Sequence, residues 1–304
     1  MNKDLVFITS AGRTGTQFFG DFLKTAIEDC WSAHEPDMLR GSISDQAEKI
    51  RKFGFWYMVP GRLLGTTGVR PLGQRLLTND ISKKNCFDRL RRSRSRYHKR
   101  IAQSLIIESN YQWWPFAKVI GEIWPGAKMI GIIRDPRHWV RSWQNHGPRH
   151  KWNDWTKLFP PGRLTPSALG DQQWYRRWKG LGTLGKLAWE WRTIYTHLDS
   201  AVTENPSNIR MFRFEDLFGQ PEKNMQELID FAANHPERKY RYHQPPGFAG
   251  WIRNASKGLH PHWLDWRHED ARLVEEMCGS LMQKYGYGLE DVWGKKVNSG
   301  SKNA

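Results

Sequence analysis

Residues 5–19 read Leu-Val-Phe-Ile-Thr-Ser-Ala-Gly-Arg-Thr-Gly-Thr-Gln-Phe-Phe. The apolar run Leu5–Ile8 has the character of a buried strand. A tight loop, Ala11–Gly15, follows, and then Phe18, Phe19, Phe22 and Leu23 recur at helical spacing. Strand, glycine loop and helix together aim several backbone N–H groups and a helix N-terminus at an anion. Gly12 and Gly15 remove side chains that would hold a phosphate away from the backbone. Arg13 adds a forked positive charge. The stretch is not a nucleotide-triphosphatase loop, because Thr16 and Gln17 stand where Lys and Ser/Thr would have to follow the second glycine. The plain alternative is an ordinary strand-to-helix turn.

A second stretch supports the anion reading. Residues 128–143 read Lys-Met-Ile-Gly-Ile-Ile-Arg-Asp-Pro-Arg-His-Trp-Val-Arg-Ser-Trp. Met129–Ile133 is a buried-strand pattern, and Arg134 lies at its C-terminal end, where open parallel sheets bind ligands. Asp135-Pro136 has the form of a helix start, with Asp as N-cap and Pro at N1. Ser142 then falls on that helix about two turns in. An Arg at a strand end and a Ser on the following helix can grip one phosphate from two sides. The plain alternative pairs Arg134 with a local carboxylate and leaves Ser142 in solvent.

Together the two stretches resemble the sulfotransferase family, whose members use 3′-phosphoadenosine-5′-phosphosulfate (PAPS). Gly12-Arg13-Thr14-Gly15-Thr16 is similar to that family's Pro-Arg/Lys-Ser-Gly-Thr loop, with Gly12 in place of the usual proline. The resemblance implies that Gly12, Arg13, Thr14, Gly15, Thr16 and Gln17 hold the 5′-phosphosulfate. It also implies that Arg134 and Ser142 hold the 3′-phosphate and that the spent donor is 3′,5′-adenosine bisphosphate. Weaker echoes follow in order: Glu122-Ile-Trp-Pro-Gly-Ala-Lys128, Arg213-Phe-Glu-Asp-Leu217 and Lys284-Tyr-Gly-Tyr287. They extend the resemblance over roughly residues 4–288, although only the two anion stretches are specific. In Trp251-Ile-Arg-Asn-Ala-Ser-Lys-Gly258, Arg253, Lys257 and Gly258 match loosely the late basic loop that closes over the 3′-phosphate in many sulfotransferases. A basic surface loop is the other reading.

Chemistry at the donor asks for a base on the acceptor hydroxyl. Ser32-Ala-His-Glu-Pro36 follows the second strand and opens onto the same sheet edge. Glu35 is the first candidate, since related sulfotransferases place a carboxylate there. His34 is the alternative, because other branches of the family use imidazole. One of the two is expected only to cap the next segment. Glu108-Ser109-Asn110, after the third strand, is placed to shape the acceptor pocket. Sulfuryl transfer is an in-line displacement in which the protein mostly positions groups and neutralises charge. The sulfuryl group carries less charge than a phosphoryl group, so Arg13, acting with backbone donors, can serve without a metal, and none is expected.

Composition suits a soluble enzyme. A chain of 304 residues can bury a large core. It contains no run of 18 apolar residues, and Met-Asn-Lys-Asp-Leu enters a strand at once, so neither membrane span nor signal peptide is expected. Cys30, Cys86 and Cys278 are scattered and odd in number, as befits reduced thiols in a cytoplasmic protein. The net charge of +16 asks for an anionic donor, an anionic acceptor or nucleic acid. In residues 79–101, nine Lys/Arg face two Asp, a run whose bland explanation is a solvated helix face.

The alternation of patterns predicts an α/β fold: a central, mostly parallel sheet flanked by helices, with P-loop, sulfotransferase-like architecture. Strands are expected at 4–9, 29–33, 104–108, 128–133 and 208–213. Helices are expected at 16–27, 44–53, 83–101, 114–122, 136–145, 186–203, 221–234 and 268–284. One domain is read over 1–293, with a tail at 294–304 whose composition is that of a disordered segment. Residues 147–184 interrupt the alternation with Trp152, Trp155, Trp174, Tyr175 and Trp178, part of a total of 17 Trp. They read as a lid or a wall of the acceptor pocket. Two other classes compete: another P-loop transferase such as a kinase, with Asp135 a weak substitute for a magnesium ligand, and a non-catalytic polyanion or nucleic-acid binder. The acceptor, a small molecule or carbohydrate, is not legible. Oligomeric state is open, and a homo-oligomer is compatible with the sequence.

Overall fold

The computed structural model describes residues 3–39, 42–145, 162–219, 221–243, 258 and 260–299. Five strands form one sheet: β1 (Asp4–Ser10), β2 (Cys30–His34), β3 (Leu105–Ser109), β4 (Lys128–Ile133) and β5 (Ile209–Arg213). Their order is β2-β3-β1-β4-β5, and every pairing is parallel. All five lie where the apolar runs predicted. The period-two alternation sorts β1 cleanly between two layers. Val6 and Ile8 join Phe19, Phe22 and Leu23 of α1 (Thr16–Ala26) and Leu228 and Ile229 of α12 (Pro221–Ala233) on one face. Leu5 and Phe7 join a larger core with Trp113, Trp139, Trp191 and Tyr195 on the other.

That second face carries most of the helices. In chain order they are α2 (Ile43–Phe53), α3 (Phe55–Met58), α4 (Pro60–Leu63), α5 (Val69–Leu77), α6 (Lys83–His98), α7 (Ile120–Ile123), α8 (Pro136–Gln144), α9 (Gln172–Tyr175) and α10 (Thr183–Glu204). α13 (His268–Lys284) and α14 (Asp291–Asn298) complete that face among the described residues, while α11 (Phe214–Gly219) packs Leu217 on the first face. The helix expected at 114–122 is a 3₁₀ segment, Tyr111–Val119, continued by α7. Pro115 lies inside it, lacks an N–H and disfavours a regular α-helix there. α14 carries helical order past the expected boundary at 293, because Trp293 is buried against Trp263 and its indole N–H donates to Glu275.

The connection from β1 runs through α1 to β2, away from β4. The connection from β4 runs through α8 and α10 to β5, away from β1. The connections therefore progress in opposite directions across the sheet from β1 and from β4, which opens a crevice at the C-terminal ends of these two parallel strands. Arg13 and Arg134 follow those two strands.

Candidate functional site

The loop after β1 is wound tightly. Gly12, Arg13 and Gly15 all have positive φ, at 81°, 56° and 75°. A proline, fixed near −65°, could not occupy position 12, so the glycine there is demanded by this backbone and is more than a loosened version of the related loop. A Cβ on Gly12 would also lie 2.9 Å from the Trp143 ring. Side chains from three elements pin the loop. Ser10 Oγ accepts from Gly12 N (2.9 Å), Tyr195 OH from Ala11 N (3.2 Å), and Trp139 Nε1 donates to Gly12 O (2.9 Å).

The two sequence stretches meet here. Arg134 Nη1 donates to Arg13 O (2.8 Å), and Arg13 Nε donates to Ser142 Oγ (3.2 Å). Arg134 lies over the Phe214 ring at 4.7 Å, and its Nε is buried with no hydrogen-bond partner. Thr14 Oγ1 is buried in the same condition. Burial and then the neighbouring Arg134 charge lower the pKa of Arg13. Burial lowers that of Arg134 despite the opposing field of Glu215. Two under-solvated guanidinium groups beside a helix N-terminus are relieved by an anion. Orphaned donors and a glycine-lined cradle fit a phosphorylated group.

Asp135 caps α8, with Arg137 N donating to its Oδ1 (2.8 Å) and Pro136 at N1, as the sequence implied. The Arg137 guanidinium holds the same carboxylate through Nη2 (2.6 Å) and reaches Glu290 (2.9 Å). Asp135 is thus committed to the turn, which weakens it further as a magnesium ligand. Glu215 accepts from Asp135 N (3.2 Å) and from Tyr287 OH (2.6 Å). The weak echoes around 213–217 and 284–287 therefore converge as a brace behind Arg134.

On the other side of β1, His34 ends β2 and Glu35 follows it. Gly20 of α1 packs on this strand so closely that a Cβ would lie 2.5 Å from His34 N. Glu35 is buried, with φ 45°. Ser109 joins this corner to the loop after β1: its carbonyl accepts from Glu35 N (2.9 Å) and His34 Nδ1 (3.1 Å), while its Oγ donates to Thr16 O (2.6 Å). His34 Nε2 lies 3.7 Å from Glu35 Oε2. Burial, followed by the charge of Glu35, raises the pKa of Tyr111.

Tyr111 and Trp143 lead into a cavity of about 80 Å³ that also takes in Trp114, Trp189, Arg70, Gln74, Arg163 and Glu190. Gln74 Oε1 is buried there without a partner. From the Trp-rich insertion, Arg163 and Leu164 reach this wall. Trp174 is instead fully buried and Trp178 packs edge-on against Trp189, while Trp152 and Trp155 lie outside the described residues. Glu108 is not in the pocket. It is buried and held by Arg94 Nε (2.9 Å) and His98 Nε2 (2.8 Å). Arg94 also reaches Asp37, to which Tyr57 OH donates (2.8 Å).

Of the late loop, Arg253 and Lys257 lie outside the described residues. Gly258 rests against Asn145 at the end of α8, and His260 N donates to Asn145 Oδ1 (3.0 Å). Ser109, Tyr111, Trp139 and Tyr195 are the contributors that sequence reasoning missed or underrated. Only Ser109, at a strand end on the ligand edge, carried a signal.

The model of the sulfotransferase domain family matches residues 3–240 of this chain. No curated protein matches it. Among solved structures, similarity is found to a sulfotransferase domain of the Synechococcus PCC 7002 olefin synthase, at 13% identity and TM-score 0.43, covering 100% of this chain and 96% of that one. A sulfotransferase domain from the curacin biosynthetic pathway matches at 14% identity and TM-score 0.38, with 99% and 98% covered. A retinol dehydratase in complex with androsterone and inactive cofactor PAP matches at 14% identity and TM-score 0.42, with 95% and 83% covered.

Proposed function

The chain belongs to the sulfotransferase domain family, and on that premise we propose that it moves a sulfuryl group from PAPS to a hydroxyl or amine of a small-molecule or carbohydrate acceptor. The observation that carries this reading is the cluster of Arg13, Arg134 and Ser142 in the crevice between β1 and β4, where two half-buried guanidinium groups meet and Arg134 Nε and Thr14 Oγ1 lack partners. PAPS supplies an activated sulfuryl group when bound there. Arg13 and the backbone of 12–17 would hold the 5′-phosphosulfate and neutralise charge that develops during transfer. Arg134 and Ser142 would hold the 3′-phosphate, with Arg253, Lys257 and Gly258 closing over it.

Glu35 is the proposed base. It is buried, its charge is felt by Tyr111 of the aromatic cavity, and Ser109 fixes its backbone relative to the loop after β1. His34 is the alternative: its Nδ1 is committed to Ser109 O, and its Nε2 lies 3.7 Å from Glu35 Oε2. The reading requires no divalent ion and places the protein in the cytoplasm, where its three free, buried cysteines stay reduced. Among the described residues, no helix is long and apolar enough to cross a membrane.

Incubation with labelled PAPS and an acceptor panel, read by mass, tests this. Gain of one sulfuryl group, with thermal protection by 3′,5′-adenosine bisphosphate and not by ATP, is the expected result. Protection by ATP with magnesium, without protection by the bisphosphate, would make the protein a kinase-like transferase instead.

A further inference from the structure

The basic run at 79–101 is left unused by the donor site. α6 presents it on one side only. Arg94 and His98 turn inward to Glu108, whereas Lys84, Arg91, Arg92, Arg96, Lys99 and Arg100 are exposed. Arg89, Arg96 and Arg100, spaced to share one helix face, all lean on the segment from Arg51 to Thr66. Arg89 Nη1 donates to Thr66 O (3.1 Å), Arg100 Nη1 donates to Arg51 O (2.7 Å), and a Cβ on Gly54 would lie 2.5 Å from Arg96 Nη1.

That segment exposes large apolar side chains to water: Phe55 is 64% exposed, Trp56 63%, Leu63 71% and Leu64 59%. Their neighbours Tyr57 and Met58 are buried, so the short helices α3 and α4 are anchored and the outward apolar groups are not simply unfolded. An apolar, Trp-containing ridge flanked by exposed arginines and lysines has the chemistry of a surface that enters the headgroup layer of an anionic membrane. A second copy of this chain is a poor occupant, since a two-fold contact would set one cationic helix against another.

We propose that the α3–α4 ridge and the outer face of α6 together form a peripheral docking surface for an anionic lipid bilayer. Phe55, Trp56, Leu63 and Leu64 enter the interface, and Arg92, Arg96 and Lys99 meet lipid phosphates and carboxylates. Tyr57, in the same ridge, donates to Asp37 two residues from Glu35, so the docked surface lies on the β2 side of the sheet.

Cosedimentation of the full chain with vesicles of phosphatidylcholine alone and of phosphatidylcholine mixed with phosphatidylserine tests the proposal. The expected result is binding to the mixed vesicles, weakened by salt, and much less to phosphatidylcholine alone. The double variant Phe55→Ser/Trp56→Ser should lose about tenfold or more in vesicle affinity. Arg92→Glu/Arg96→Glu should lose at least about tenfold. Both should keep wild-type protection by 3′,5′-adenosine bisphosphate, which shows that they are folded. No vesicle binding by the wild type, or binding indifferent to both double variants, would overturn the proposal. So would a shift to a defined dimer that Trp56→Ser dissolves, or binding to duplex DNA in place of vesicles.

Discussion

The molecule buries arginines in two ways. Beneath the β2–β3 edge, burial alone would lower the pKa of Arg94, but Glu108, Tyr57 and Asp37 outweigh it and raise it. Arg137 behaves alike, between Asp135 and Glu290. In the β1–β4 crevice, Arg13 and Arg134 are instead lowered, by burial and, for Arg13, by the other's charge. The first kind is closed: its charge is satisfied within the fold and holds turns in place. The second kind is kept at a cost that an anion, bound as proposed, would remove. Arg94 and Arg137 are thus struts, whereas Arg13 and Arg134, which lie with the unpartnered Arg134 Nε and Thr14 Oγ1, are the candidate site.

The largest effect is expected where the strut region meets the chemistry. Glu35→Gln keeps shape and removes basicity, and should lower turnover by about 10²–10⁴-fold with donor affinity unchanged. Steady-state kinetics alongside His34→Asn checks it: collapse in His34→Asn alone would move the role to His34. Next, Arg94→Met removes the cation that Glu108 and Asp37 share, leaving them only His98 and Arg62, and should cost about 3–5 kcal/mol of stability. A denaturant melt within about 1 kcal/mol of wild type would remove the distinction between strut and site.

Arg134→Met supplies the opposite pattern. Stability without ligand should fall by less than about 1.5 kcal/mol, the worth of an ordinary hydrogen bond, while affinity for 3′,5′-adenosine bisphosphate falls about ten- to a hundredfold. Loss of stability as large as in Arg94→Met, with affinity intact, would make Arg134 a strut. A further test concerns His197, which shows that a lowered pKa alone is not a site. Burial, then Lys118, holds it down to about 4. Its folded pKa lies below the unfolded value of about 6.5, so the unfolded state takes the proton first. Stability should therefore fall as pH drops from about 6.5 toward 4, by up to roughly 1.4 kcal/mol per pH unit. His197→Gln should flatten that part of a pH-dependent melt.

The strands were legible because each is a local apolar run, and so was the Asp135-Pro136 helix start, whose cap is made within two residues. α3, α4 and α5 were not, because the first two are short and expose the apolar groups that a core-facing pattern would hide. Pro115 made Tyr111–Val119 a 3₁₀ segment where an α-helix was expected. Of the donor corner, Arg13, Arg134 and Ser142 stood out through chemistry tied to nearby strand ends. The Arg94–Glu108–Asp37 group did not, because it joins residues from α6, β3 and the turn after β2 that no local spacing connects. For the same reason Glu108 looked like a pocket group when it is a partner of Arg94.

Calorimetric titration of the wild-type protein with 3′,5′-adenosine bisphosphate, adenosine 5′-monophosphate and ATP tests the donor corner most directly. The bisphosphate should bind at least about tenfold more tightly than the monophosphate, because the charge-assisted contacts proposed for Arg134 and Ser142 would reach only the 3′-phosphate. Equal affinity for the two, or preference for ATP, would contradict a PAPS site built on Arg13, Arg134 and Ser142.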